Sequence, residues 1–517
     1  MHWLVLPDPR KNITAAFHDL PGAQAWLARQ PGAQQPRQTL AALSLQVEAI
    51  DGGGVGDPLL AVELLGLLRC AAAPLQESIE AAYARKALPL AEDERRAFEL
   101  VSHFWRRLGI AYLRRQGELP AEARGLALNR AASALRLAAG AHFLAAYECP
   151  LAIDRLLFGA LALASRDGLL ERALPDPDFP QLGDSTAAGH LAWAFMLRLL
   201  DPYRLTLGQL NVANRALSRW RELARFGDQP GKAPSIDLGP LYGGQLPAEA
   251  PRWLDVHAVD RKLRKRLEAL HQGETPESLK LGRELPAADC IGLLEEIRLS
   301  LAAPEREASA ETGEIALAFG GEDAYAMLRG EPLNTAGGLD IGSALLAHQR
   351  TALFGFDRVD QAESAVKRVK VATETWKRID GMVIRTPDAA SPRRAAPCLV
   401  AASPDGETRL GVLFGLQVTT GDALTGGLHW YEGDIETGWI ERSGSRDPST
   451  ARIPAFLLRE DEKLSLLLPA GSGIRPDAEL TVEGLGGGVK PPPRRVQLRG
   501  ELERGADFVR YACDDRD

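Results

Sequence analysis

The chain has 517 residues, of which 45% are hydrophobic and 25% charged, a composition typical of a soluble globular protein with two to four domains. Its formal net charge of -8 argues against a DNA or RNA partner, because general nucleic-acid binders are usually basic. The five cysteines are far apart and form no CxxC pair, so we expect no metal site, no disulfide framework and a reducing, cytoplasmic location.

The first 50 residues predict a short strand, "HWLVLP", followed by a helix-like segment, "NITAAFHDLPGAQAWLARQ". The start lacks a basic segment followed by a long apolar run, so it does not resemble a signal peptide. The most apolar stretch, "PLLAVELLGLLRCAAAPL", is interrupted by Glu63, Arg69 and Pro74. We therefore expect a buried amphipathic helix there and no membrane span.

Residues 51–305 predict an α-helical domain, either a bundle or an irregular solenoid. In "EDERRAFELVSHFWRRLGIAYLRRQ" apolar residues recur every three or four positions and arginines occupy the opposite face. The stretch "STAAGHLAWAFMLRLL" continues this pattern, with Ser185 as its predicted N-cap. A Gly/Pro-rich loop, "GDQPGKAPSIDLGPLYGGQLP", interrupts the helices. We expect this domain to bind a protein partner, whose identity the sequence leaves open.

The sequence pattern changes after residue 305. Residues 306–365 predict an α/β connector, with a strand in "GEIALAFGG" and a short helix in "EDAYAMLRG". Residues 366–517 contain about ten short β-type runs between Gly, Pro and Asp turns, which predicts one closed barrel or paired barrels. The predicted fold class is therefore multidomain α + β, with an N-terminal helical bundle or irregular solenoid followed by a C-terminal antiparallel β-barrel.

The order of the C-terminal segments is similar to that of PilZ-like regions at the ends of long proteobacterial proteins. The resemblance is carried by "ETW", "RLGVLFGLQV", "GLHWYEGDIETGWIER", "IPAFLL", "SLLLP" and "RRVQLRGELERGADFVRYAC", and it covers roughly residues 343–513. PilZ domains are small β-barrels, many of which bind cyclic di-GMP. The resemblance implies a receptor or adaptor rather than a catalyst.

PilZ receptors carry an RxxxR pair before the first barrel strand and a D/N-x-S-x-x-G stretch after it. The planar guanidinium group of arginine binds phosphates through paired hydrogen bonds and stacks on guanine, which explains the first motif. Here Asp380 and Gly381 remain from the second motif, while the RxxxR spacing occurs later, at Arg442 and Arg446. The resemblance thus implies Arg442, Arg446 and Arg368 as the residues that hold the phosphates of a cyclic dinucleotide.

The remaining polar residues give weaker functional signals. Asp434 and Glu436 fall on one face of a predicted strand, where paired carboxylates could do acid–base work, but no nucleophile or metal cluster accompanies them. Trp430 and Tyr431 should point to opposite faces, so at most one of them belongs to the barrel core. We expect no catalytic residues, no cofactor and no metal.

The sequence therefore predicts a non-enzymatic, cytoplasmic signalling or adaptor protein, with cyclic di-GMP as the ligand implied for a degenerate PilZ-like barrel. The alternative is a protein-interaction scaffold without a small-molecule ligand. An enzyme that uses Asp434 and Glu436 is a third, less favoured hypothesis.

Overall fold

The computed structural model describes the chain in nine ranges, which are 4–176, 183–240, 246–302, 312–333, 371–388, 390–442, 452–460, 463–485 and 492–516. The chain divides into two compact units. The first unit contains Met1–Glu307 and Gln417–Gly421, and the second contains Ala308–Leu416 and Asp422–Asp517. The finer division into 1–50, 51–305, 306–365 and 366–517 stays a prediction.

The first unit is mainly helical. Its described helices are α1 (Leu20–Leu27), α2 (Pro36–Ala49), α3 (Pro58–Glu80), α4 (Glu92–Arg115), α5 (Ala121–Ala145), α6 (Leu151–Arg166), α7 (Ala187–Leu199), α8 (Leu207–Trp220), α9 (His257–His271) and α10 (Ala287–Ala302). Its short strands are β1 (Leu174–Pro175), β2 (Asp184–Ser185), β3 (Arg225–Gly227), β4 (Ser235–Asp237) and β5 (Trp253–Asp255). β1 pairs with β2, and β3, β5 and β4 form a small antiparallel sheet.

Helix α4 confirms the strongest helical pattern in the sequence. Its first turn is acidic and its last turn basic, which suits the helix dipole, and the carboxylate of Glu94 accepts a hydrogen bond from the N–H of Ala91 at 2.7 Å. Its apolar face is buried against α5. The two helices approach closely at Gly109, where an added Cβ would lie 2.7 Å from Cγ of Leu135.

Helix α3 is long and apolar enough to cross a membrane by length and composition alone, and half of its most apolar window is buried inside the protein. The helix also holds a buried charge, because Nη1 of Arg69 lies 2.6 Å from Oδ2 of Asp176. It continues through Pro74 to Glu80, so the proline interrupts the apolar pattern without ending the helix.

The structure corrects three expectations for the helical region. Residues 4–10 form no strand. Ser185 is not the N-cap of α7, because the Oγ1 of Thr186 accepts the N–H of Gly189 at 2.8 Å while Ser185 is buried in β2 and its carbonyl accepts from Asn129. The predicted Gly/Pro-rich loop contains β4 and begins at the last residue of β3, and both strands are too short to show an alternating pattern.

The second unit contains one helix and twelve strands within its described residues. They are β6 (Gly313–Phe319), α11 (Gly320–Arg329), β7 (Thr373–Ile379), β8 (Met382–Arg385), β9 (Cys398–Ala402), β10 (Arg409–Val418), β11 (Leu424–Trp430), β12 (Asp434–Glu441), β13 (Arg452–Glu460), β14 (Lys463–Pro469), β15 (Glu479–Val482), β16 (Arg494–Arg504) and β17 (Phe508–Asp515). The strand and helix predicted in "GEIALAFGG" and "EDAYAMLRG" are confirmed as β6 and α11.

Two antiparallel six-stranded arrangements make up this unit, so the predicted fold class is confirmed. The first is a closed barrel in the order β10-β11-β8-β7-β6-β9. The second is a sheet in the order β12-β13-β14-β17-β16-β15, which nearly closes through two backbone hydrogen bonds of 2.9 and 2.8 Å between Trp439 and Glu483. Tyr431, Phe456 and Phe508 belong to one core shared by both arrangements.

Candidate functional site

The ligand-binding residues implied by the PilZ resemblance are largely outside the part of the chain that the structure describes. Arg368 and Arg446 lie outside the described residues. Arg442 directly follows β12 and is exposed. Their role in holding phosphates therefore stays a prediction.

The two candidate carboxylates lie on β12, as the sequence predicts. Asp434 is exposed and Glu436 is half-buried. Oε1 of Glu436 lies 3.5 Å from Nη1 of Arg494, so this carboxylate takes part in an ion pair. Both carboxylates lie on the surface of a strand. The ion pair with Arg494 is a sufficient structural explanation for the presence of Glu436 there.

A small pocket of about 210 Å³ lies at one end of the closed barrel, beside Arg378, Arg409 and Trp430. Nη2 of Arg409 lies 3.4 Å from Oδ2 of Asp405, which partly neutralises its charge. The turn between β7 and β8 borders this pocket and contains Asp380 and Gly381, both with positive φ (51° and 77°). An Asp-Gly pair of this kind is favoured in two-residue hairpin turns, so the two residues that the PilZ resemblance assigned to its second motif have a structural role here.

The first unit contains a larger pocket, of about 630 Å³, which we call the arginine pocket. Helix α4 supplies Arg106, Arg107 and Ile110, helix α6 supplies Arg155 and Leu156, and the N-terminal segment supplies Leu4, Val5 and Pro7. The volume lies within the range of small-molecule sites in proteins, which is about 300–1,000 Å³. The pocket thus joins three guanidinium groups to apolar walls.

Helical spacing places these side chains on a common surface. Arg106 and Ile110 are four residues apart on α4, and Arg155 and Leu156 lie on the turn of α6 that faces the same pocket. The N-terminal wall packs on α6 at Gly159, where an added Cβ would lie only 2.3 Å from Cδ1 of Leu4. Close packing of this segment therefore depends on the missing side chain of a glycine.

Hydrogen bonds hold the N-terminal segment against the helices. Nη2 of Arg114 donates to the carbonyl oxygen of Pro7 at 2.5 Å, and Nη1 of Arg10 donates to Oε2 of Glu48 at 3.1 Å. Glu48 is only 4% exposed and also lies 2.8 Å from Nε2 of His103 and 3.5 Å from Nε of Arg107. Its single negative charge is thus shared between the guanidinium groups of Arg10 and Arg107.

Arg106 is the least compensated cation of the pocket. Burial lowers the pKa of its guanidinium, the charge of Arg107 lowers that pKa further, and no acidic side chain of the described residues counteracts them. Because arginine stays protonated at any physiological pH, the pocket keeps this positive charge. An anionic ligand would stabilise it.

A neighbouring pocket of about 590 Å³ shares Arg106 and is also lined by Phe98 and His142. The rings of Phe98 and His142 meet edge to face with centroids 4.8 Å apart. Burial lowers the pKa of His142 to about 4, and its Nε2 lies 3.0 Å from Oγ of Ser102. His142 is therefore neutral at physiological pH and offers a ring surface rather than a charge.

This arrangement suits the binding of a phosphorylated ligand with flat rings. Arginine forks recognise phosphates and stack on aromatic faces, and the apolar walls can cover flat rings. Within the described ranges, no group of three or more His, Cys, Asp or Glu side chains could hold a metal ion.

Reasoning from the sequence missed Arg106, Arg107 and Arg155 as site residues, because arginines on the polar face of an amphipathic helix usually point into solvent. The available signal was weak. It consisted of adjacent arginines followed four residues after Arg106 by Ile110, an apolar residue on the same face.

The comparison with known families connects this unit to cyclic-di-GMP signalling. Residues 21–231, less than half of the chain, match the family model described as the N-terminal domain of the cyclic-di-GMP receptor FimW. The matched range includes α2 to α8 and the three arginines of the arginine pocket. No curated protein and no solved structure matches the chain.

Proposed function

We propose that this protein is a receptor for cyclic di-GMP, which it binds in the arginine pocket of the first unit. The observation that carries the proposal is the position of three guanidinium groups around a pocket of about 630 Å³, all three inside the range that matches the receptor family. The proposal keeps the ligand that the PilZ resemblance implies but assigns it to the helical unit.

The chemistry of the pocket fits the parts of this ligand. Cyclic di-GMP has two phosphodiesters and two guanine bases. Its binding site must therefore provide both cationic guanidinium groups and flat apolar surfaces. Arg106 on α4 and Arg155 on α6 line the pocket, and guanidinium groups in this position can bind phosphates. Leu4, Ile110 and Leu156 offer apolar surface to the bases.

We further propose that the protein acts as a cytoplasmic adaptor without catalytic activity. In this proposal, the second unit is a degenerate PilZ-like barrel, and the helical unit contacts a protein partner. Ligand binding would bias the arrangement that the partner recognises, which requires a different ligand affinity for the two arrangements.

Isothermal titration of the full-length protein with cyclic di-GMP tests the ligand and its location. We expect Arg106→Ala and Arg155→Ala each to weaken binding by about tenfold or more, because a hydrogen bond to a charged group contributes roughly 1.5–3 kcal/mol. The matched control is Arg95→Ala on the same helix α4. Arg95 is exposed and its Nη2 donates to Oε2 of Glu92 at 2.8 Å, so its removal should leave the affinity unchanged.

Two results would contradict the proposal. If the wild-type protein gives neither heat nor thermal stabilisation at high micromolar cyclic di-GMP, the scaffold without a small ligand is favoured. If it binds and Arg442→Ala weakens the affinity while Arg106→Ala does not, the ligand belongs to the barrel.

A further inference from the structure

The first unit has another pocket, of about 380 Å³, between α3, α5, α7 and α8. We call it the Arg136 pocket. Its apolar surface includes Phe143, Leu197 and Leu210, and its polar rim includes Glu80 and Asn211. The arginine pocket and the Arg136 pocket have no lining residue in common.

The guanidinium of Arg136 is held in an unusual environment for a charged group. Arg136 is 9% exposed, and its guanidinium carbon lies 3.4 Å from the centroid of the Trp193 ring. Nε1 of Trp193 donates to Oδ1 of Asn214 at 2.9 Å, which fixes the ring. The Nε of Arg136 makes no hydrogen bond within the described part of the chain.

A buried guanidinium normally needs a carboxylate and several acceptors, because taking a charge out of water costs several kcal/mol. The cation–π contact offsets part of this cost. Glu80 is the acidic side chain that raises the pKa of Arg136, but burial, Arg221 and Arg69 together lower that pKa to about 9. The carboxylate of Glu80 itself accepts from Gln76 at 2.5 Å.

A second aromatic neighbour of Trp193, His190, gives an independent observation. His190 is fully buried, and its ring is stacked with that of Trp193 at 6.5 Å. Neither ring nitrogen of His190 has a hydrogen-bond partner among the described residues. Burial and the charges of Arg136, Arg221 and Arg69 hold the pKa of His190 well below its usual value. Arg69 and Arg221 are paired with Asp176 and Glu222, so the charge of Arg136 is the one that favours an anion beside Trp193.

We propose that the Arg136 pocket is a binding site for a small monoanion, a molecule with one carboxylate group on an apolar body. Arg136 binds the oxyanion, Asn211 on the rim is available for a further hydrogen bond, and Phe143 and Leu210 cover the apolar body. The carboxylate of Glu80 disfavours a second negative charge on the ligand, which separates this site from one that takes a cyclic dinucleotide.

Thermal unfolding of the full-length protein with three probes of equal tail length tests this site. The probes are hexanoate, hexyl phosphate and hexanol, each at millimolar concentration. We expect hexanoate to raise the Tm, hexyl phosphate, which carries nearly two negative charges at neutral pH, to raise it less, and hexanol to leave it unchanged. The comparison of hexanoate with hexyl phosphate tests the preference of the site for a single negative charge. If neither anion raises the Tm, or if hexanol raises it equally, the proposal is wrong.

Two variants make the test specific. Arg136→Leu should abolish the shift caused by the anion, and it should not lower the Tm of the ligand-free protein, because it removes a buried charge. Glu80→Gln should strengthen anion binding several-fold. A shift that persists in Arg136→Leu, or a drop of several degrees in its ligand-free Tm, would overturn the proposal. The affinity for cyclic di-GMP should be unaffected by Arg136→Leu. The proposals for this site and for the arginine pocket can therefore be contradicted independently.

Discussion

Arginines on a single helix have different roles in this protein, and the neighbours of each residue decide the role. On α4, Arg95 is exposed and pairs with Glu92 one turn away. Arg106 is half-buried beside Arg107 and lines two pockets. Both are polar-face residues in the sequence pattern. Their difference arises from α6 and the N-terminal segment, which are distant in sequence, so the helical period of α4 alone could not reveal it.

His142 should make the stability of the first unit depend on pH. Burial lowers its pKa from 6.5 to about 4 in the folded protein, so on acidification the unfolded chain takes up the proton first. The stability contributed by neutral His142 is therefore complete above about pH 6.5 and is lost as the pH falls towards 4.

Urea denaturation of the wild type and of His142→Gln between pH 7 and pH 4 measures this effect. We expect the stability advantage of the wild type to shrink by up to about 3 kcal/mol across this range, because one pKa unit corresponds to roughly 1.4 kcal/mol. Parallel pH profiles of the two proteins would show that His142 does not titrate differently in the folded and unfolded states.

At the scale of the elements, the N-terminal segment, α4 and α6 together build the arginine pocket, and Gly159 on α6 sets how closely the segment approaches. A Cβ at Gly159 would displace Leu4 from its present position. We expect Gly159→Ala to weaken cyclic di-GMP binding several-fold, as measured by titration calorimetry, because a wall of the pocket moves.

The matched control is Gly292→Ala on α10, where nothing lies within 4 Å of the added Cβ. That variant should gain roughly 0.5–1 kcal/mol of stability from the better helix propensity of alanine and keep its affinity. Unchanged affinity in Gly159→Ala would mean that the N-terminal segment is not part of the binding site.

The sequence predicts elements well where their pattern is long. The periodic apolar face of α4 and the short β-runs of the C-terminal half have their expected structure, because burial on one face imposes a regular spacing. β3 and β5 have three residues each, too few to alternate, and their pairing is decided by distant contacts. In "HWLVLP" the described residues form no strand, because Leu4 contacts α6 at Gly159 while Val5 is exposed, and neither pairs with a sheet.

At the scale of the whole molecule, the PilZ resemblance and the geometry of the arginine pocket assign the proposed ligand to different units. The PilZ resemblance implies arginines around the β-rich unit, whereas the arginine pocket lies in the helical unit together with the FimW match. Short motifs such as RxxxR recur by chance in an arginine-rich chain. A pocket built by α4, α6 and the N-terminal segment has no contiguous motif, so the sequence alone could not predict it.

Hydrogen exchange of the full-length protein, measured with and without saturating cyclic di-GMP, distinguishes binding in the helical unit from binding in the β-rich unit. We expect added protection in α4, α6 and residues 4–10 and unchanged exchange in β12 to β17. At a ligand concentration of about 100 times Kd, linkage stabilises the binding unit by roughly 2.7 kcal/mol. Protection that appears in the strands instead would assign the ligand to the second unit.

The packing of Leu4 on Gly159 also has a practical consequence for protein production. Leu4 and Val5 form part of the wall of the arginine pocket. An affinity tag fused ahead of Met1 would therefore be attached only a few residues from this wall. Such an extension could shield the guanidinium groups or, if it carries histidines or acidic residues, mimic a ligand. A tag placed after Asp517 adds no residues to this N-terminal segment.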